Sequence, residues 1–232
     1  MTKSRVYLLA TATLIFILLM IGFIFFRYHD YLLLSLLMIA SIMIPFFTRF
    51  EIRKIRSREV VILAMLAALA AVSRVPFAGL PSVQPTSFVI IMTGLVFGAE
   101  SGFLVGAVAA IVSNIFMGQG PWTPWQMFAW GMIGMSSGLL RNTWWMSRIW
   151  GKLIFGFIWG YLFGWIMNLW IITSNIENFS WKFLIGIYVN SFSHDLAHSL
   201  SNVFFLAIFS ASWIKILTRF KRKYGLLDVE TK

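Results

Sequence analysis

The feature that most constrains this chain is a series of long apolar segments. Runs of about 17 to 25 apolar residues match the hydrocarbon core of a bilayer, and only 12% of the 232 residues are charged. Backbone in lipid must satisfy its own hydrogen bonds, so such runs are expected to be helices. The sequence therefore predicts an all-α integral membrane protein with eight candidate spans, at residues 6–26, 31–47, 60–77, 87–98, 102–117, 125–140, 149–172 and 183–217.

The distribution of positive charge predicts the orientation of these spans. Short loops rich in Lys and Arg stay on the cytoplasmic side of a membrane. With the N-terminus inside, sixteen of the nineteen Lys and Arg residues fall inside, and only Arg27, Arg74 and Lys182 fall outside. We therefore expect about eight spans with both termini cytoplasmic, and the net charge of +11 is explained by topology and by attraction to anionic lipid, without nucleic acid.

The chain divides at a basic segment. Two plain aliphatic spans precede it, and six spans rich in Gly, Ser, Asn, Gln and Trp follow it. The predicted parts are an N-terminal transmembrane hairpin, a basic cytoplasmic linker, a six-helix functional core and a basic cytoplasmic tail, at residues 1–48, 49–59, 60–218 and 219–232.

The tryptophan segment, residues 118–134, reads GQGPWTPWQMFAWGMIG. Gly118 and Gly120 allow a sharp turn, and Pro121 and Pro124 can end one helix and begin another, because proline lacks the N–H that only a first helical turn can spare. Tryptophan rings beside amide side chains can stack on a planar ligand and hydrogen-bond its edge. An interfacial aromatic belt is the alternative, but the glutamines, glycines and prolines favour a ligand site.

Ionisable groups inside apolar runs are costly and indicate function. Arg74 lies near the outer end of its span, where it can also reach the interface. Asp195 lies within the last span, in the sequence HDLAH, which places His194 and His198 on one helix face as a metal pair requires. The sequence favours instead a buried polar network, which either fixes helix contacts or lines a ligand cavity; its candidate members are Asn190, Ser193 and Asn202, joined by Ser113, Asn114 and Asn168.

Small residues repeat at four-residue spacing in two places. Alanines in the sequence AMLAALAAV form a helix face that allows another helix to approach closely; packing within this chain is the alternative. The glycines at 94, 98, 102 and 106 have the same spacing and are predicted to pack internally.

The sequence contains no phosphate-binding loop, nucleophile elbow, zinc-protease motif or cysteine. Transport against a gradient would therefore draw its energy from another subunit or from an ion.

Residues 64–138 resemble the substrate-binding S components of energy-coupling factor (ECF) vitamin transporters. The resemblance rests on the alanine-rich helix, the loop PFAGLPSVQPTSF, the glycine-punctuated GLVFGAESGFLVGAVAAIVSN and the tryptophan segment. The tryptophan segment is most similar to S components assigned to cobalamin. The resemblance implies a six-helix, high-affinity vitamin receptor in the plasma membrane of a prokaryote, with its ligand pocket facing outside, no catalytic residues and no cofactor of its own.

The resemblance also implies partners and site residues. An S component docks on a transmembrane coupling subunit (EcfT-like) driven by two ATPase subunits (EcfA-like), and topples to release its ligand. The docking residues it implies are Ala64, Ala67, Ala68 and Ala71. The expected ligand-binding residues are Arg74, Gln84, Gln119, Trp122, Thr123, Trp125, Gln126, Trp130, Asn190, His194 and His198.

Several alternatives stay open at the level of sequence. The ligand can be cobalamin, its precursor cobinamide, or another flat vitamin such as riboflavin. A stand-alone or ion-coupled carrier would transport without ATPase subunits. An intramembrane metalloenzyme built on His194, Asp195 and His198 would retain a metal.

Overall fold

The computed structural model describes residues 57–175 and 179–225, together with Leu37 and Ser41. The predicted N-terminal hairpin, most of the linker and the end of the tail therefore lie outside the residues on which the fold can be judged.

The described part of the chain is entirely helical, as the apolar runs predict. A short 3-10 turn, Val75–Phe77, follows the first helix. The seven α-helices of residues 57–175 and 179–225 are α1 Ser57–Val72, α2 Thr86–Phe97, α3 Ala99–Met117, α4 Thr123–Leu140, α5 Trp144–Ser147, α6 Ile149–Ser174 and α7 Trp181–Tyr224.

Four segments are long and apolar enough to cross a membrane. They are residues 57–77, which contain α1, and the helices α3, α6 and α7. The helix α2 is apolar but has only 12 residues. These features identify a membrane protein, while the total of eight spans and the location of both termini stay predictions.

Glycine and proline set helix ends between α2 and α4. Gly98 separates α2 from α3 with φ 99°, and Gly118 ends α3 with φ 100°. Both values lie in a region that side chains with a Cβ rarely adopt. Pro124 lies in the first turn of α4, where its missing N–H costs no helical hydrogen bond.

The centre of the bundle is a close contact between α3 and α4. A Cβ built on Gly102 would lie 2.3 Å from the carbonyl oxygen of Gly134, and one built on Gly106 would lie 2.3 Å from that of Trp130. Gly94 of α2 is equally close to Gly134. Glycine is therefore needed for these backbones to touch, and the predicted internal packing of the glycines is confirmed for these positions.

A second glycine stripe joins α6 to α7. Gly156, Gly160 and Gly164 repeat every four residues, and a Cβ on any of them would collide with a side chain of α7. Their respective neighbours include Leu206, Ser199 and Asp195. This spacing is visible in the sequence and was not among the features used to predict packing.

The last helix is much longer than one bilayer crossing requires. At 1.5 Å per residue, the 44 residues of α7 extend over about 66 Å, against about 30 Å of hydrocarbon. Part of α7 must therefore lie beyond the hydrocarbon, as its apolar run suggests.

Candidate functional site

Arg74, which follows α1, is the centre of a hydrogen-bond network at one end of the bundle. Its Nε donates to Gln84 Oε1 at 2.8 Å, and its Nη1 donates to Ser113 Oγ at 2.7 Å and to Asn114 Oδ1 at 3.0 Å. The guanidinium carbon also lies 5.1 Å from the ring centroid of Trp130, within cation–π distance. One positive charge thus joins the end of α1, the following loop, α3 and α4.

Asn114 extends the network into the tryptophan segment. Its Nδ2 donates to Thr123 Oγ1 at 3.0 Å and to Gln126 Oε1 at 2.8 Å. Thr123 in turn donates to Gln119 Oε1 at 2.9 Å, and Gln119 Nε2 donates to the carbonyl oxygen of Ile111 at 3.0 Å. We call this set the Arg74 network; its members are Arg74, Gln84, Ser113, Asn114, Gln119, Thr123 and Gln126.

Trp130 connects the network to the last helix. Its Nε1 donates to Ser87 Oγ at 3.2 Å, and this hydroxyl lies 2.8 Å from His198 Nε2. Phe163 of α6 stacks on Trp130 with centroids 5.3 Å apart and meets His198 edge-on at 4.8 Å. Four helices therefore contribute to this Trp130 cluster, which consists of Ser87, Trp130, Phe163 and His198.

The loop before α2 lies at the same end of the bundle and is held by Ser201 of α7. The Gln84 N–H donates to Ser201 Oγ at 3.0 Å, and the Ser201 hydroxyl donates back to the Gln84 carbonyl oxygen at 3.3 Å. Gln84 therefore holds its side chain toward Arg74 from a backbone anchored on α7. This contact spans 117 positions of sequence, and no local pattern indicates it.

Most of the predicted ligand-binding residues meet at this end. The structure brings together Arg74, Gln84, Gln119, Thr123, Gln126, Trp130 and His198 through the contacts just described. Trp122 packs against Trp170 of α6 at the rim, with centroids 5.8 Å apart, and Trp125 is buried in the core. Asn190 and His194 lie exposed on α7 and do not belong to either cluster.

Ser87, Phe163 and Ser201 are site residues that the sequence did not single out. A serine opening an apolar helix and a phenylalanine among many carry no distinguishing pattern. Ser113 and Asn114 were predicted to join the network around Asp195, because they are polar residues in an apolar span; both lie in the Arg74 network instead.

The predicted network around Asp195 is confirmed only for Asn168, which reaches Asp195 through Ser191 between α6 and α7. Of the other predicted members, Asn190 and Ser193 are exposed, and Asn202 donates to the carbonyl oxygen of Gly156 at 3.0 Å. Asp195 is buried, its Oδ2 accepts from Ser191 at 2.9 Å, and Ser191 accepts from Asn168 Nδ2 at 2.8 Å. The carboxylate also lies directly against Gly164. These contacts hold two helices together.

The HDLAH histidines occupy different environments. His194 is exposed, whereas His198 is buried against Ser87. Within residues 57–175 and 179–225, no group of three or more His, Asp or Glu side chains is placed to hold a metal ion.

The alanines of α1 are partly buried and partly exposed. Ala67 and Ala71 are buried against the bundle, with 3% and 0% of their surface exposed. Ala64 and Ala68 are exposed, beside the exposed apolar residues Met65 and Leu69. One face of α1 therefore packs internally, and the other is an apolar strip with small residues at its centre.

Chemically, the Arg74 network offers one fixed cation, several neutral amide and hydroxyl groups, and tryptophan rings beside them. The cation and the rings suit a ligand with a planar apolar part and polar edges. The interior of the site is closely packed, since Trp130 is 0% exposed and Gln126 is 5% exposed.

The chain is similar over a short stretch to several UPF0397 proteins. A UPF0397 protein of Vibrio atlanticus is 33% identical over 88 residues, which is 36% of this chain and 48% of the relative. UPF0397 proteins of Aliivibrio fischeri and Aliivibrio salmonicida are 32% identical over matches of the same length. The chain thus spans about half the length of the curated relatives it matches. No solved structure matches the chain significantly.

A family model covers a much larger part of the sequence. The family described as "ECF transporter, substrate-specific component" matches residues 58–220, which include nearly all of α1 and most of α7. The match includes both the Arg74 network and the alanine face. The chain therefore belongs to the family of substrate-specific components of ECF transporters.

Proposed function

We propose that this chain is the vitamin-binding subunit of an ECF importer in the plasma membrane of a prokaryote, and that its ligand is cobalamin or cobinamide. Membership of the family makes it a transporter subunit rather than an enzyme, and implies association with EcfT and EcfA components. The ligand, its binding residues and the side of the membrane that it approaches are parts of the proposal.

The observation that best supports a ligand site is the convergence of Arg74, Asn114 and Gln126 beside Trp130. A half-buried guanidinium that bridges three acceptors is a costly feature for a membrane bundle, and such groups usually serve binding or transport. The site lies at the end of the bundle where α4 begins and α3 ends, which the charge distribution predicts to face outside.

Cobalamin is the first candidate because of the residues at the rim of the site, Gln119 and Trp122. A corrin is a wide ring with amide-bearing edges, and Trp122 and Gln119 supply an aromatic surface and an exposed amide next to the network. A ring of this size would lie across the rim and the exposed loop at residues 75–81, above the buried residues. Each aromatic contact removed from water contributes about 1.5–3 kcal/mol.

The compactness of the interior favours a second candidate. Trp130, Gln126 and Ser113 are already in contact with protein groups and nearly inaccessible. A smaller planar vitamin such as riboflavin would need less rearrangement to reach them. The two candidates therefore differ in which residues they use, the rim or the interior.

Identification of the bound molecule tests the proposal directly. The purified chain is expected to co-elute with a vitamin that absorbance and mass spectrometry identify. Trp122→Ala and Gln119→Ala are expected to weaken cobalamin binding at least tenfold, whereas Trp144→Ala, an exposed tryptophan at the opposite end, should leave it unchanged. Absence of any bound vitamin, or transport by the chain alone in liposomes, would contradict the receptor function.

The docking face on the coupling subunit is proposed to be the exposed strip of α1. Ala64 and Ala68 lie there with open surface above them, while Ala67 and Ala71 support the strip from within the bundle. Small side chains allow close helix approach in lipid, where packing drives association.

A further inference from the structure

Arg74 has one nitrogen whose donors the chain leaves unused. Its guanidinium has one N–H on Nε and two on each Nη. The Nε donor is used by Gln84, and the two Nη1 donors are used by Ser113 and Asn114. Within residues 57–175 and 179–225, Nη2 donates to no group, and it is not sealed from the surroundings. An acceptor that does not belong to the described chain can therefore reach Nη2.

The positive charge of Arg74 also has no carboxylate partner within the described residues. Its three hydrogen-bond acceptors are neutral amide and hydroxyl oxygens. The carboxylates of residues 57–175 and 179–225 are those of Glu59, Glu100 and Asp195. Glu59 and Glu100 lie in the first turns of α1 and α3, about 20 Å along these helices from the ends that meet Arg74. Asp195 accepts from Ser191 on its own helix.

The guanidinium is directed into the bundle rather than toward lipid headgroups. Two of its acceptors, Ser113 and Asn114, are 0% and 2% exposed, and the Trp130 ring that it approaches is fully buried. An arginine that only reached the membrane interface would extend its charged group outward, into water. Interfacial placement, the alternative drawn from the sequence, therefore does not explain these contacts. A charge held inside a membrane protein in this way indicates function.

An anionic oxygen is the acceptor that meets both requirements. A neutral carbonyl would complete the hydrogen bonding of Nη2 but leave the positive charge uncompensated. A phosphate or carboxylate oxygen supplies an acceptor and the opposite charge together, and hydrogen bonds between charged partners are roughly twice as strong as neutral ones. The neutral acceptors on Nε and Nη1 hold the guanidinium in place, so that Nη2 is presented in a fixed position.

We propose that the ligand carries an anionic group, a phosphate or a carboxylate, and that an oxygen of this group accepts from Nη2 of Arg74. This assignment rests on the proposed vitamin-binding function and narrows its ligand. Cobalamin has a phosphodiester in its nucleotide loop, whereas cobinamide lacks that loop and riboflavin has no anionic group. Among the candidate ligands, the unused edge of Arg74 therefore favours cobalamin.

Binding titrations of the purified full chain with cyanocobalamin and dicyanocobinamide test the proposal. The two ligands also differ in size, so each variant is compared with the wild-type chain on the same ligand. Arg74→Gln is expected to weaken cobalamin binding at least about tenfold more than cobinamide binding, because a charge-assisted hydrogen bond is lost with cobalamin alone.

Gln84→Glu is a second variant that remains informative if Arg74→Gln does not fold. The glutamate keeps an acceptor for Arg74 Nε, and the Gln84 amide nitrogen donates to no group within residues 57–175 and 179–225. The new carboxylate compensates Arg74 from within the chain and repels the phosphodiester. Cobalamin binding is expected to fall about tenfold, and cobinamide binding is expected to stay unchanged.

Lys182→Gln is the control for net charge. Lys182 is an exposed cation in the first turn of α7, and its replacement changes the net charge by the same single unit as the other two variants. The affinities for both ligands should stay at the wild-type values. Equal weakening of cobalamin by Lys182→Gln and Arg74→Gln would indicate a general charge effect and would overturn the assignment of Arg74.

Two further outcomes separate this proposal from the receptor function. If the wild-type chain binds corrinoids but Arg74→Gln and Gln84→Glu weaken both ligands equally, Arg74 does not meet an anionic group, and the receptor function stands. If the wild-type chain binds neither corrinoid, the proposed ligand is contradicted, and the pairing of Arg74 with a phosphodiester is contradicted with it.

Discussion

Arg74 joins parts of the chain that are far apart in sequence. Its two donor nitrogens reach Gln84 in the following loop and Ser113 and Asn114 about forty positions later. The geometry depends on the planar fork of the guanidinium, which a lysine ammonium cannot reproduce. The residue therefore combines a structural role at the end of α1 with the proposed role in ligand binding.

Replacing Arg74 by lysine tests its proposed role in ligand binding. Arg74→Lys keeps the charge but loses at least one charged hydrogen bond, which contributes about 1.5–3 kcal/mol. We expect vitamin affinity to fall about tenfold to a hundredfold in a binding titration of the purified chain. Arg58→Lys, the same change at an exposed arginine, serves as the control; equal affinity in both variants would remove Arg74 from the site.

At the scale of the helix, glycine decides how closely neighbours pack. Gly102 and Gly134 face each other so that a Cβ on either would lie within 2.3 Å of the other's carbonyl oxygen. The obstacle is backbone rather than a mobile side chain, so one methyl group must push α3 and α4 apart.

Gly102→Ala is accordingly expected to destabilise the chain by about 1–3 kcal/mol or more, as overpacking does. Gly186→Ala is the matched control, because Gly186 also lies within a helix but a Cβ there meets nothing within 4 Å. There alanine should be neutral or stabilising by up to about 1 kcal/mol. Thermal or denaturant unfolding in detergent measures both, and similar losses in the two variants would contradict the packing argument.

The helix α1 carries the prediction about docking. Ala68→Trp places a large ring on the exposed strip and is expected to abolish uptake by the assembled transporter, while vitamin binding by the isolated chain is preserved. Leu200→Trp enlarges another exposed apolar residue, on α7, and should retain uptake. Normal uptake by the Ala68→Trp transporter would show that this strip does not meet the coupling subunit.

The whole molecule has two chemically different ends. The Arg74 network and the tryptophans lie at one end, and Arg141, Lys152, Lys221 and Arg222 gather at the other. The positive-inside rule predicts that the second end faces the cytoplasm. The proposed ligand site depends on this orientation.

The absence of cysteine in the sequence makes the orientation directly measurable. A membrane-impermeant maleimide is expected to label Gly79→Cys in intact cells, because Gly79 is exposed and open above its Cα. Lys223→Cys, exposed at the basic end, should react only after permeabilisation. The unmodified chain supplies a background without reactive thiols, and the reverse labelling pattern would invert the proposed topology.

The sequence by itself determined the class of protein and most helices of the described residues, while the short α5 lies outside the predicted spans. Apolar runs of bilayer length allow few structures other than helices, and Gly118 and Pro124 end and begin helices through local backbone chemistry. The sequence also indicated most members of the Arg74 network. A polar residue stands out in an apolar span even when its partners are not known. Arg74 and Asn114 were found in this way, and Gln126 was found as an amide within the tryptophan segment.

Only the tertiary structure decided which of those residues share a site. His198 contacts Ser87 and Phe163, while His194, one turn earlier, is exposed. Likewise, Ala68 is exposed while Ala67 is buried. Each distinction depends on how a helix is rotated about its axis. That rotation is fixed by contacts between residues distant in sequence, such as Gly102 with Gly134 and Gly160 with Ser199. At these contacts the helices are so close that rotating either one would bring a larger side chain into the interface.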